Sequence, residues 1–190
     1  MFASAGCATS GHPSPTPSTA FPTPGGSSDA TVPATSTVAP LAPRVPVPLD
    51  ARGVGVCDLL TPAQQAELQI DPASQTTDLP GAAPRCQWRT RDQSGVLTAT
   101  SATDFAVGGL EGLYLVRGTY GVFEPGDLDG FPMVRADRQD TGDRDCTIYV
   151  GVAEDQLVWA AAGFPFGDRS ACAVARQMAS YMISNLPPLR

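Results

Sequence analysis

The alternation of apolar and polar residues is clearest in the last third of the chain. In residues 146–153 the alternation places apolar residues 148, 150 and 152 on one face and Thr147 and Tyr149 on the other, which predicts a half-buried β-strand. A turn at residues 154–156 leads into an apolar run at residues 157–162, so the two segments form a predicted hairpin. A helix follows, because Ser170 is a good N-cap and apolar residues recur on one face: Ala171, Val174, Ala175, Met178, Ala179 and Met182. We expect this final helix to cover the sheet.

The first half of the domain shows a helix and two strands. Thr61 precedes Pro62 and Gln64, an order typical of a capping box, which predicts a helix that ends near residue 70. Segments 86–90 and 95–102 have the composition of strands and are joined by a turn at residues 92–95. Residues 105–116 have helical apolar spacing, but Gly108, Gly109 and Gly112 weaken the pattern and are typical of turns or of a close approach to a ligand.

Short apolar segments at residues 122–124 and 131–136 predict two more strands around a turn at residues 125–130. An acidic loop follows at residues 137–145. Helices at the ends of a meandering sheet indicate an α+β fold, and we predict an antiparallel sheet of about 5–6 strands packed with 2–3 helices.

Composition separates the N-terminal quarter of the chain from the rest. Residues 1–50 contain ten of the nineteen prolines and only three charged residues, so they offer too little apolar surface to offset the entropy of ordering them. We predict a disordered Ser/Thr/Pro-rich tether at residues 8–50, which is dispensable for folding, and a single domain at residues 51–190.

The five cysteines divide into one N-terminal residue and four domain residues. Cys7 follows Ala5-Gly6 and opens the tether, so we interpret it as a lipid-attachment site and residues 1–7 as the remnant of a lipoprotein signal peptide. Only six residues precede Cys7, and we expect the natural start to lie upstream. The alternative is a cytoplasmic protein with a chance Ala-Gly-Cys sequence.

The domain cysteines are an even set, which is typical of a disulfide-bonded protein outside the cytoplasm. They allow three pairings, and we predict Cys57–Cys86 and Cys146–Cys172. The first pair ties the entry of the first helix to the first strand, and the second ties a late strand to the last helix. The apolar stretch at residues 157–166 is shorter than the roughly 18–20 residues of a bilayer span. We therefore expect an extracytoplasmic protein that is lipid-anchored to the outer face of the cell membrane.

Missing residue types exclude several chemistries. The chain has no lysine, and its only histidine, His12, lies in the tether. The domain therefore lacks a Schiff-base lysine, a Ser-His-Asp triad and His-ligated zinc, and oxidised cysteines remove thiolate catalysis. We expect no enzymatic activity, no cofactor and no metal. The net charge of −7 argues against a nucleic-acid partner, and Arg in place of Lys indicates a high-GC genome such as that of an actinobacterium.

Two groups of side chains have both a functional and a structural interpretation. Asp137, Asp140, Asp143 and Asp145 offer oxygen ligands for calcium, but their spacing does not match an EF-hand, and a solvated loop is the simpler interpretation. Trp88 and Trp159 lie on predicted strands and form either a ligand-stacking platform or part of the core, which we favour. A carboxylate-pair glycosidase is a distant third hypothesis.

Several motifs together resemble a known family. They are Cys57-Asp58-Leu59-Leu60-Thr61-Pro62, Cys86-Gln87-Trp88, Gly130-Phe131-Pro132 and Asn185-Leu186-Pro187. With a third cysteine opening a strand and a fourth in the terminal helix, residues 50–190 resemble the actinobacterial putative lipoproteins grouped as domain of unknown function 3558. The resemblance implies a secreted, lipid-anchored α+β domain, similar to the PsbP-like fold, and it supplies no catalytic residues.

These observations lead to two functional hypotheses. The first is a cell-envelope lipoprotein that binds a partner protein or a wall component. The alternative is a carrier or sensor for a small apolar ligand. A deep apolar cavity between the sheet and the terminal helix favours the carrier, whereas a filled core with an exposed apolar patch favours the partner-binding protein.

Overall fold

The computed structural model describes residues 40–77, 84–103, 108–166 and 168–190. In these residues seven strands form one sheet in the order β1-β2-β3-β7-β6-β5-β4, and every neighbouring pair is antiparallel. The strands are β1 (Thr76–Thr77), β2 (Arg85–Arg89), β3 (Val96–Ala102), β4 (Val122–Leu128), β5 (Phe131–Asp137), β6 (Asp145–Ala153) and β7 (Gln156–Gly163). The helices are α1 (Pro62–Glu67), α2 (Gly109–Leu115) and α3 (Ala171–Ser184).

The predicted α+β class is confirmed. The sheet has slightly more strands than predicted, because the two residues of β1 are too few to show an alternation. Three short 3-10 segments join the main elements: Val56–Leu59, Pro72–Ser74 and Arg117–Thr119. None of the helices formed by the described residues has the length and hydropathy needed to cross a membrane.

Helix α1 begins with the predicted capping box. The Gln64 N–H donates to Thr61 Oγ1 at 3.3 Å, and the Thr61 N–H donates to Gln64 Oε1 at 2.9 Å. The helix ends at Glu67, earlier than predicted, because Gln69 has a φ of 61° that a helix does not allow. Ile70 instead forms an antiparallel bridge with Thr90, which brings the end of this segment to the sheet.

The predicted long turn at residues 125–130 is wrong. Strand β4 continues to Leu128, and Asp129 and Gly130 alone form the turn, with φ values of 53° and 84°. Positive φ at both central residues is the pattern of a tight hairpin turn. Pro125 is tolerated inside β4 because this strand forms one edge of the sheet, and the N–H that proline lacks is not needed for pairing with a further strand.

One face of the sheet is closed by α3. The apolar stripe of this helix is buried as predicted, and the largest side chains between helix and sheet, which include Trp88, Phe164, Met178 and Met182, are 0% exposed. Burying one such side chain contributes roughly 1.5–3 kcal/mol, so this layer is the main source of stability. After the helix, Asn185 Nδ2 donates to the Leu59 carbonyl oxygen at 3.0 Å and to Gln64 Oε1 at 2.7 Å. Asn185 therefore joins the end of α3 to the start of α1.

Residues 40–50, which we call the strap, lie against the domain, although composition assigned them to the tether. The Leu49 N–H donates to the Val152 carbonyl oxygen at 2.7 Å, and the strap and the C-terminal tail exchange two further main-chain bonds: Asp50 N–H to Pro187 O at 2.8 Å and Leu189 N–H to Pro48 O at 3.0 Å. Ala42 is only 9% exposed.

The strap moves the start of the domain upstream of residue 51. A proline-rich segment lacks the N–H group at each proline, but its backbone is extended and its carbonyl oxygens are free. It can therefore form hydrogen bonds with backbone groups that the rest of the fold leaves available. Residues 1–39, with Cys7, His12 and the remaining predicted tether, lie outside the described residues.

Candidate functional site

The four domain cysteines form both predicted disulfides. Cys57 is bonded to Cys86 and Cys146 to Cys172, with Cα–Cα distances of 5.2 Å and 5.0 Å. Cys86 and Cys146 are buried on strands, and their partners lie on a short 3-10 segment and on the first turn of α3. Each disulfide therefore fastens a helical segment to the same face of the sheet. None of these four sulfurs is available as a nucleophile or a metal ligand.

The acidic loop organises the end of the sheet. Three of its carboxylates accept main-chain hydrogen bonds at 2.8–2.9 Å, each from a different donor: Asp137 from Thr147, Asp140 from Gly142 and Asp143 from Cys172. The Ser170 hydroxyl and the Cys172 N–H hold the pKa of Asp143 below its usual value. Because the carboxylates have separate partners, and because the described residues contain no group of three or more metal-ligating side chains, the contacts fit a structural loop.

Two of the three glycines in the α2 region allow the chain to approach itself. Gly109 has a φ of +51°, and a Cβ there would lie 2.6 Å from the Glu154 carbonyl oxygen. A Cβ on Gly108 would lie 3.1 Å from the same oxygen. These glycines seat the start of α2 on the β6–β7 turn, so the close approach that the sequence indicated is to this turn and not to a ligand.

A cleft of about 230 Å³ lies between the strap and α2. The Leu41 and Ala42 N–H groups donate to the two carboxylate oxygens of Glu111 at 3.0 Å and 2.8 Å, which lowers the pKa of Glu111. Arg44, Glu111 and Glu154 are among the residues that line the cleft. An apolar carrier would instead need a cavity between the sheet and α3, where the side chains described above fill the space.

The two tryptophans have different surroundings. Trp88 faces α3, is 0% exposed and donates from Nε1 to Gln75 Oε1 at 3.1 Å, so it belongs to the core, as favoured. Trp159 lies on the opposite face of the sheet and is partly exposed. Its ring lies 5.6 Å from the ring of Tyr149, with an angle of 30° between the planes. Trp159 is therefore the tryptophan whose side chain is partly accessible at the protein surface.

Trp159 belongs to a part of the sheet that none of the helices formed by the described residues covers. Side chains from four adjacent strands lie there, and we call the following set the open face: Gln87, Thr98, Thr147, Tyr149, Trp159 and Ala161. Strand register places Gln87, Thr98, Ala161 and Thr147 directly opposite one another in one row, and Trp159 opposite Tyr149 in the next. All six are partly exposed, whereas residues that alternate with them, such as Leu97 and Ala160, are 0% exposed.

The open face stops where α2 begins to cover the sheet. Leu110 and Leu113 pack with Val134 and Ala136 in a second, smaller core, and Tyr149 borders that cluster. Burial raises the pKa of Tyr149 well above its usual range, and the neighbouring Tyr120 adds to the shift. Tyr149 is therefore a neutral, fixed phenol at the boundary between the covered and uncovered parts of this face.

Sequence reasoning singled out Trp159 but missed most of the open face. The alternation in residues 146–153 placed Thr147 and Tyr149 on one side of a strand, which was a usable signal. Gln87, Thr98 and Ala161 join them only because β7 lies between β3 and β6. That strand order pairs segments far apart in the chain, and local periodicity carries no information about it.

Comparison with known proteins gives a family and no close relative. No curated protein and no solved structure matches the chain, so the similarity to the PsbP-like fold stays a prediction. The family model described as "Protein of unknown function (DUF3558)" matches residues 2–185. This is the family that the cysteine, Trp88 and Asn185 motifs resemble, and the match covers nearly the whole sequence. The chain therefore belongs to the DUF3558 family.

Proposed function

We propose that this protein is a cell-envelope lipoprotein that binds a partner protein or a wall component through its open face and catalyses no reaction. The observation that carries the proposal is the contrast between the two faces of the sheet. One face is filled by α3 and fastened by both disulfides, and the other leaves Trp159 and its neighbours partly uncovered. A rigid sheet with one accessible aromatic surface is suited to binding.

The side chains of the domain support binding over catalysis. Its residues include no lysine and no histidine, and its four cysteines are bonded to one another. The open face contains hydroxyl, amide and aromatic groups but no carboxylate. Proton transfer near neutral pH needs a group with a pKa close to that range, and neutral Tyr149 is not such a group.

Site-specific photocrosslinking tests the binding face. A benzophenone amino acid in place of Val96, which is 37% exposed and lies next to Thr98 on the same side of β3, borders the open face without filling it. The matched control in place of Arg176 lies on the exposed side of α3. In cells expressing the protein from its native locus, we expect adducts at position 96 that are absent at position 176 and are lost in Trp159→Ala. Equal labelling at both positions contradicts the proposal.

The lipid anchor is supported by the Ala-Gly-Cys sequence at Cys7 and by disulfides that belong to an oxidising compartment. We expect the native protein to partition into the detergent phase on Triton X-114 extraction, whereas Cys7→Ala moves to the aqueous phase or accumulates as a precursor. Unchanged partitioning of Cys7→Ala contradicts the anchor. Cys57 and Cys86 serve as the control pair, because their joint replacement by alanine leaves the lipid site intact.

A further inference from the structure

Resting on the proposed function, we propose that the ligand of the open face is a neutral glycan strand, with Trp159 as the residue on which a sugar ring stacks. A pyranose ring presents an apolar face of C–H groups and a rim of hydroxyls. A binding site for it therefore needs an aromatic surface beside a level floor with neutral hydrogen-bonding groups. The open face brings these three elements together.

The floor of the open face is level because its side chains are small. Thr98, Thr147 and Ala161 lie side by side on adjacent strands, and no bulky residue stands among them. The row from Gln87 to Thr147 crosses four strands, and the spacing of about 4.8 Å between strands makes it about 14 Å long. This length accommodates a short oligosaccharide laid across the strands.

The polar groups along this row match sugar hydroxyls. Gln87 Nε2 donates to Thr98 Oγ1 at 3.3 Å, which orients the amide and leaves its carbonyl oxygen as an acceptor. Threonine hydroxyls both donate and accept, as sugar hydroxyls do. In the adjacent row Thr100 lies opposite Trp159 and is only 1% exposed, so its hydroxyl belongs to the sheet and not to the ligand-binding surface.

Trp159 is held in position before any ligand arrives. Its ring packs on Tyr149, which is fixed at the border of the small core under α2. A stacking residue that is already ordered loses little conformational entropy on binding, so the contact is retained as affinity. The aromatic part of the face is thus preorganised.

The charge and the flat shape of the open face favour a neutral glycan over a polyanion or a protein partner. The six side chains of the open face carry no charge, and strand register places the charged residues of this face, Arg85, Arg89 and Asp145, at the ends of the two adjacent rows. The net charge of −7 repels polyanions. Protein partners gain most from anchor side chains buried in pockets, but the small-residue floor offers no such pocket. Among the described residues, Val96 is the large exposed aliphatic side chain on a strand beside the open face, and it is 37% exposed.

Intrinsic fluorescence of the full chain tests the proposal directly. The chain has two tryptophans, and Trp88 is fully buried, so a ligand-dependent change reports on Trp159. We would titrate tetramers of N-acetylglucosamine, glucose (β1-4 and α1-4 linked) and mannose. We expect at least one to give a saturable change. Because Trp159→Ala and Trp159→Phe lack the reporting ring, the variants are measured by isothermal titration calorimetry, which should show an affinity lower by about tenfold or more in Trp159→Ala and in Ala161→Leu and a smaller loss in Trp159→Phe. Phe166→Ala, at a side chain that is 96% exposed elsewhere, is the control and should bind as the wild type does.

The outcomes separate this inference from the proposed function. Ala161→Leu raises the floor without removing Trp159, so it tests the site even if Trp159→Ala does not fold. If no tetramer gives saturable binding that depends on Trp159 and Ala161, the glycan inference is overturned. If the crosslinker at position 96 then still captures a protein selectively, the open face remains a binding site and its ligand is a polypeptide. If position 96 also captures nothing, both proposals fail.

Discussion

The two disulfides should stabilise the domain by nearly equal amounts. The variants that test this are the double replacements Cys57→Ala with Cys86→Ala, and Cys146→Ala with Cys172→Ala. Alanine is preferable to serine, because Cys86 and Cys146 are 0% and 1% exposed and a serine hydroxyl there would be buried without a partner. Each double variant removes one cross-link and leaves the other intact.

The expected magnitude follows from the loop that each bond closes. The bonded cysteines are 29 residues apart in the first disulfide and 26 in the second. In the chain-entropy model each cross-link contributes about 3.5 kcal/mol to the free energy of unfolding, and the two contributions differ by only about 0.1 kcal/mol. For a domain of this size such a loss lowers the melting temperature by roughly 7–14 °C.

Calorimetry and urea unfolding of the two double variants provide the measurement, with the reduced wild-type protein as the control for losing both bonds. Near-equal losses in the free energy of unfolding support the chain-entropy argument. A melting temperature that is unchanged in either variant would refute it, and losses that differ by more than about 1 kcal/mol would show that packing around the sulfurs outweighs loop closure. Non-reducing peptide mapping checks that no other pairing has formed.

Three further predictions concern the strap and the end of α3. A chain that starts at residue 51 should melt several degrees below one that starts at residue 40, because it lacks the strap's main-chain bonds to Val152 and the C-terminal tail; equal melting would restore the tether assignment. Glu111 has a lowered pKa when folded, so its attachment to the strap is fully present above the unfolded value of about 4.3 and is lost as pH falls through the folded pKa. The backbone amides of Leu41 and Ala42 in the wild type should therefore exchange faster in acid than the intrinsic pH effect predicts. The control Glu154→Gln should show the same acceleration, whereas Glu111→Gln should not. Asn185→Ala leaves the Leu59 carbonyl without its donor and should cost about 1–2 kcal/mol in urea unfolding, and a neutral result would mean that water replaces the amide.

The elements of this fold were largely predictable because their signals are local. The capping residues of α1, the apolar stripe of α3 and the alternation in β6 each fall within one short segment. The disulfide pairing was also predictable, because it joins elements that must pack together. The turn before β5 was misplaced for a local reason, since Pro125 and Gly126 usually indicate a turn and only the position of β4 at an edge permits them in a strand.

The open face was not predictable, because it depends on the order of strands in the sheet. Thr98 and Ala161 are directly opposite each other but come from strands separated by α2 and three other strands in the chain. The strap escaped prediction for a different reason. Its proline-rich composition resembles that of a disordered chain, and the hydrogen bonds that hold it use partners near the C-terminus and on β6. In both cases the decisive interactions are long-range.

The edge strand β4 has a consequence for how the proposed binding function could change during evolution. Pro125 and Gly126 interrupt the row of donors and packed side chains that a neighbouring strand would need, and Glu124 and Asp127 beside them are exposed. Under the proposed binding function, this edge offers a ligand little backbone pairing, so selectivity would depend on side chains on the faces of the sheet. Exchanges at partly exposed positions such as Thr98 and Ala161 alter that surface without disturbing the layer under α3. On the same proposal, single substitutions could change what such a domain binds while the cross-linked scaffold stays the same.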